Sequence, residues 1–233
     1  RFFAAGAEAN AERWASPDQR AAIVWYFAEL ANLRSAFGWA ADKGDLDAAA
    51  TIACKVAFIA VFSDSHEPID WCEQLLGPAE AERHRLLRQL YAGVALCVFA
   101  GRPEEALGFG RSSIELATEP RFDEVPHELD RSIVATGHIF LGRPEEHLEE
   151  TRAIHNSPND DLVWGTCNLL WTLSAIGEFD EAMGLADEML ERAKTTRVPT
   201  SIAFAYSAYA RAFSKTDPEK ALRACRKGVS AAR

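Results

Sequence analysis

The stretches Gly101-Arg102-Pro103-Glu104-Glu105-Ala106 and Gly142-Arg143-Pro144-Glu145-Glu146-His147 are near copies of one another, and their reading decides the fold. In each, glycine suits the left-handed position that ends a helix, because it lacks a Cβ. Proline then opens the next helix, where its missing N–H is no loss. The acids that follow face the positive end of the new helix dipole. Gly177-Glu178-Phe179-Asp180-Glu181-Ala182 and Thr216-Asp217-Pro218-Glu219-Lys220-Ala221 repeat the device, and Asp64-Ser65-His66-Glu67-Pro68-Ile69 is a weaker copy. From 64 to 101, 142, 177 and 216 the spacings are 37, 41, 35 and 39 residues. Periods of that size with a helix on either side signal a helical solenoid. Each helix pair then buries its apolar face only against its neighbours.

Outward from these turns, apolar residues recur at three and four, and no period-two segment is sustained. Asn-Gly and Asp-Gly hairpin signals between β-branched runs are missing, while alanine, leucine, glutamate and arginine are abundant, as helices require. The pattern predicts about twelve helices, over 2–14, 17–42, 45–62, 66–76, 79–100, 103–118, 126–141, 144–155, 159–176, 179–195, 198–214 and 218–231. Short connections imply that consecutive helices pack antiparallel. A hairpin over 1–44 precedes the repeats of 45–233. The chain opens at Arg1 in mid-pattern with no secretory leader, as a piece of a longer protein would.

Composition narrows the function. The 233 residues carry 25 Lys+Arg against 35 Asp+Glu, a formal charge of −10, so the chain repels phosphate backbones and direct nucleic-acid binding is not expected. No apolar run reaches the ~20 residues that span a bilayer. Five scattered cysteines without a Cys-x-x-Cys pair read as reduced thiols of a cytoplasmic protein. No Gly-x-x-x-x-Gly-Lys, Gly-x-Gly-x-x-Gly, His-Glu-x-x-His or Gly-x-Ser-x-Gly motif occurs. His147, Glu150 and His155 share a helix but fall short of a converging ligand set and read as a solvated stripe. Cys54, Cys97 and Cys167 fall on apolar helix faces, where a thiol is a small hydrophobe. No catalytic residue, metal or cofactor is therefore expected.

The hexad at Gly177–Ala182 resembles the hairpin of a tetratricopeptide repeat, although His147 and Ile69 replace its small alanine and Thr216 its glycine. Glu29-Leu30-Ala31-Asn32-Leu33-Arg34-Ser35-Ala36-Phe37-Gly38-Trp39-Ala40, followed by Gly44-Asp45 and an alanine-rich helix, is similar to a signature of bacterial STAND-type regulators. These signal-transduction ATPases, including LuxR-type regulators and others fused to adenylate/guanylate cyclase domains, end in a tetratricopeptide-like domain. His66-Glu67-Pro68-Ile69-Asp70-Trp71-Cys72-Glu73-Gln74-Leu75 resembles the second helix of that family's first repeat. Ala31 stands where the family usually has an acid, and the likeness is specific only over residues 22–76.

The resemblance implies an all-α, tetratricopeptide-like right-handed helical solenoid that senses a ligand or partner and docks on an ATPase domain elsewhere in the parent protein. It also implies that the first helix of each pair lines a concave surface, with inward residues thirteen, ten and six positions before each turn. These are Thr51, Cys54 and Phe58; Arg88, Tyr91 and Ala95; Leu129, Ser132 and Thr136; Trp164, Cys167 and Trp171; and Ala203, Tyr206 and Ala210. Arg88, Tyr91, Ser132, Thr136, Trp164, Cys167, Trp171 and Tyr206 are the expected groove for a protein, peptide or small-molecule effector. Arg88 reads as a snorkelling stem or an anion contact, the former favoured. Trp39 and Trp71 read as core. The competing expectation is a passive scaffold, whose exposed end helices also suit homodimerisation.

Overall fold

The computed structural model describes residues 1–232. Among these there are twelve α-helices, two short 3-10 turns and no strand. The chain forms two compact units, Arg1–Gly137 and the part from His138 onward. Among the described residues no helix is long and apolar enough to cross a membrane.

The first unit holds α1 (Phe2–Trp14), α2 (Gln19–Asp42), α3 (Leu46–Val61), α4 (Glu67–Glu82), α5 (Leu87–Ala95), a 3-10 turn (Leu96–Ala100) and α6 (Pro103–Leu116). A second 3-10 turn (Pro126–Glu128) leads into α7 (Leu129–Phe140), inside which the unit boundary falls. Each of α1 to α5 packs on the next helix in the chain and α5 on α6, while α3 also touches α1 and α5. The hairpin expected over 1–44 therefore lies on α3, in the same unit. The Asp45 carboxylate caps α3 by accepting from Ala48 N at 3.2 Å. Arg34 of α2 grips Glu67 of α4 through two bonds of 2.6 and 2.7 Å, and Phe37 stacks on Trp71 at 4.8 Å.

The second unit contains α8 (Pro144–His155), α9 (Trp164–Ile176), α10 (Phe179–Thr196), α11 (Pro199–Phe213) and α12 (Pro218–Ala231). Helix α9 packs on α8, α10 and α11, and α11 on α10 and α12. Their shared core runs from Leu169, Leu170 and Leu173 through Ala182, Ala186 and Met189 to Ala205 and Ala208. The turn device works as its residue types require. Gly101, Gly142 and Gly177 take φ of +82°, +69° and +99°, and Pro103 and Pro144 begin their helices. Asp217 closes the first turn of α12, accepting from Lys220 N at 2.8 Å.

Three local differences from the sequence reading have physical causes. Gly77-Pro78 does not break α4, because Leu75, Leu76 and Ala79 continue one buried stripe across it. That burial outweighs the one intrahelical bond proline forgoes. The helix ends instead at Arg83, in the left-handed conformation. Helix α9 starts at Trp164 rather than at 159, after Val163 with φ +64°. Buried Asp160 reaches forward to accept from the N–H groups of Gly165 (2.9 Å) and Thr166 (3.1 Å). Trp71 is 6% exposed, but Trp39 is 61% exposed and does not belong to the core. The buried stripe of α2 runs through Ala22, Tyr26, Leu33, Phe37 and Ala40. At about 100° per residue, Trp39 stands roughly a quarter-turn or more off it.

Candidate functional site

The inner positions of α3 lead to a cavity of about 690 Å³ inside the first unit. Of the three α3 positions, Cys54 and Phe58 line it, together with Lys55 and Ile59, and Thr51 does not. Helix α1 adds Glu8, Glu12 and Trp14; α5 adds Gln89, Ala92 and Gly93; and Leu96, Val125, Pro126, His127 and Leu129 complete the lining. Ala11 of α1, the following Ala15 and Ala92 of α5 meet the cavity with side chains too small to fill it. Trp14 stands edge-on to Phe58, with centroids 4.6 Å apart, and lies 5.3 Å from Phe62. Such edge-to-face contacts fix aromatic rings in place.

One polar chain crosses this apolar lining. The Lys55 ammonium donates to Gln89 Oε1 at 3.0 Å, and Gln89 Nε2 donates to the Glu124 carbonyl at 2.7 Å. Two bonds thus link α3, α5 and the segment before α7. Lys55 is half-buried and has no carboxylate within ion-pair distance among the described residues.

Of the eight residues expected to form the groove, four lie in this unit and none lines the cavity. Arg88 is not a snorkelling stem but an anion contact, and its anion belongs to the chain itself. Its Nη2 donates at 3.0 Å to Asp130, which is 1% exposed. Tyr91 turns to α4 and α6 instead, where its hydroxyl donates to Glu80 and its ring lies 6.4 Å from Phe109. Burial, then the neighbouring Glu80 carboxylate, push its pKa up to about 12. The cause is a rotation about the helix axis. Residues 96–100 form a 3-10 turn, which advances about 120° per residue against about 100° in an α-helix. Over five residues the excess is roughly 100°, one residue's worth. Counting back from Gly101 as though the helix were uniform therefore lands one position early: Gln89, Ala92 and Leu96 face the cavity in place of Arg88, Tyr91 and Ala95. On α7, Ser132 is buried with its hydroxyl unpartnered, and Thr136 donates to the Ser132 carbonyl at 2.8 Å.

The other four lie in the second unit. Cys167 has no exposed surface; its thiol points to Met189 Sδ at 3.5 Å, so it is core and lines no groove. Trp164 is also buried. Trp171 is 38% exposed, with the Arg211 guanidinium 5.4 Å above its ring, a cation–π contact. Tyr206 is half-buried. Only Trp171 and Tyr206 of this group offer surface to a ligand.

The histidine stripe of α8 is partly interior: His147 is buried, and His155 Nδ1 lies 2.9 Å from Thr166 Oγ1. Among the described residues no three His, Cys, Asp or Glu side chains converge as a metal site. Burial pushes the Cys97 pKa up to about 11 and raises that of Cys167 well above the ordinary thiol value. Both are protonated near neutrality and are poor nucleophiles. The cavity itself offers shape, aromatic surface and the Lys55 ammonium. Comparison with protein-family models, with curated proteins and with solved structures finds no match to this chain.

Proposed function

We propose that this chain is a tetratricopeptide-like helical-repeat module that binds a ligand in the cavity between α1, α3 and α5, and serves as the sensing part of a STAND-type regulator. The observation that carries the reading is the cavity itself. Its volume of about 690 Å³ lies within the 300–1,000 Å³ typical of small-molecule sites, and its lining is mostly apolar with a few polar groups. Two features support the repeat architecture: within each unit, α1 to α6 and α8 to α12 pack in turn on their sequence neighbours, and α3 also meets α1 and α5, as α9 meets α11. The regulator assignment rests on the resemblance over residues 22–76. There Arg34–Glu67 and Phe37–Trp71 join the two resembling segments to each other. A ligand would act by binding two arrangements of the module unequally.

A second reading has its own support. Val24, Phe27 and Trp39 are 60%, 56% and 61% exposed on one side of α2, a surface suited to a passive scaffold. A thermal-shift screen of metabolites separates the two. Phe58→Trp fills the cavity, and Trp171→Ala serves as a control in the second unit. A true ligand raises the melting temperature of the native chain and of Trp171→Ala by several degrees and leaves Phe58→Trp unmoved. Equal shifts in all three put the ligand outside the cavity, and no shift from any metabolite favours the scaffold.

A further inference from the structure

We propose that the cavity selects an organic anion, a molecule with an aromatic-sized apolar body and a carboxylate that pairs with Lys55. This inference rests on the cavity being the ligand site. Lys55 is the one lysine or arginine on the lining, it is half-buried, and a neutral amide oxygen at 3.0 Å is its hydrogen-bond partner. The Glu124 carbonyl holds the Gln89 amide from behind at 2.7 Å, so its oxygen stays turned to the ammonium. The charge itself is left uncompensated. An occupant that displaces the cavity water must pair that ammonium or strip it of solvent, and stripping an ammonium without pairing it is costly. A carboxylate pairs it and a hydroxyl does so only in part. A second ammonium would repel it.

Glu8 and Glu12 also border the cavity and favour the opposite ligand charge, but both are exposed, where water screens them. The half-buried Lys55 therefore decides the selection. Trp14, Phe58, Leu96 and Val125 supply apolar surface for the body of the ligand, and the Trp14–Phe58 pair offers ring edges for an aromatic one.

The test is calorimetric titration of the chain with three probes that share one body: 4-phenylbutyrate, 4-phenylbutanol and 4-phenylbutylamine. The native chain is expected to bind the acid at least tenfold more tightly than the alcohol, and the amine least. Lys55→Met keeps the apolar stem and should abolish the preference for the acid, so that acid and alcohol bind with similar affinity; Lys55→Gln is the second variant, should the first fold poorly. Equal affinity for acid and alcohol, an acid preference that survives both variants, or a preference for the amine would overturn the anion assignment while leaving the cavity as the site. If none of the three probes binds, the cavity reading falls with it.

Discussion

Arg88→Met is expected to destabilise the first unit by about 3–5 kcal/mol, far more than the loss of an exposed arginine would. Asp130 is 1% exposed, and the Arg88 side chain is 14% exposed. The Asp130 carboxylate accepts from Arg88 Nη2 at 3.0 Å, from the Ser113 hydroxyl at 3.0 Å and from Arg131 N at 3.0 Å. Removing the guanidinium leaves a buried anion held by two neutral donors, and its desolvation is then largely uncompensated. The double variant Arg88→Met/Asp130→Leu removes both charges and should recover most of the loss, because two apolar side chains of similar size tolerate that interior. Native-state hydrogen exchange of α5 and α6 amides reads the effect in the unit concerned. A single-variant loss below 1 kcal/mol, or a double variant no better than the single, would show that water reaches the pair.

That pair also shows where the sequence stops being legible. The helical class was readable from the three-and-four recurrence, and the Gly-Arg-Pro-Glu-Glu turns were readable from residue type, because both depend on local sterics. Cys54 and Phe58 share one helix face and line the cavity together because α3 is a regular helix from Leu46 to Val61. Arg88 and Tyr91 turn away from the cavity because the Leu96–Ala100 turn overwinds the helix, and no residue type in it announces this. At Pro78 residue type alone predicts a helix end, and only the burial of Leu75, Leu76 and Ala79 shows that the helix continues. The type of Trp39 predicts core, but its position on α2 determines its exposure. The Lys55 signal was present: α3 reads LDAAATIACKVAFIAV, with one lysine in an otherwise apolar stretch. Its meaning depended on α1, whose approach to α3 is a tertiary fact that no spacing encodes.

In the second unit, Gly165→Ala should lower stability by about 3 kcal/mol, although on helix propensity alone the same change would raise it by about 1 kcal/mol. A Cβ at position 165 would stand 2.1 Å from Ile154 Cγ2, 2.8 Å from Ile154 Cβ and 3.4 Å from Asp160 Oδ1. Ile154 is 1% exposed, so it has no free volume into which to retreat. Movement of α9 is resisted as well, because Asp160 holds the Gly165 and Thr166 N–H groups and also accepts from Thr166 Oγ1 at 2.7 Å. Gly184 on α10 provides the control: a Cβ there meets nothing within 4 Å, so Gly184→Ala should stabilise by up to about 1 kcal/mol. Ile154→Val keeps Cγ2 and should not relieve Gly165→Ala. Ile154→Ala removes that atom, so the two alanine changes together should cost at least 1 kcal/mol less than the sum of their separate effects, the coupling expected of residues in direct contact. Thermal denaturation of the four chains measures this. If Gly165→Ala melts at or above the native temperature, the close approach of α8 and α9 at this residue is wrong, and with it the account of why glycine stands there.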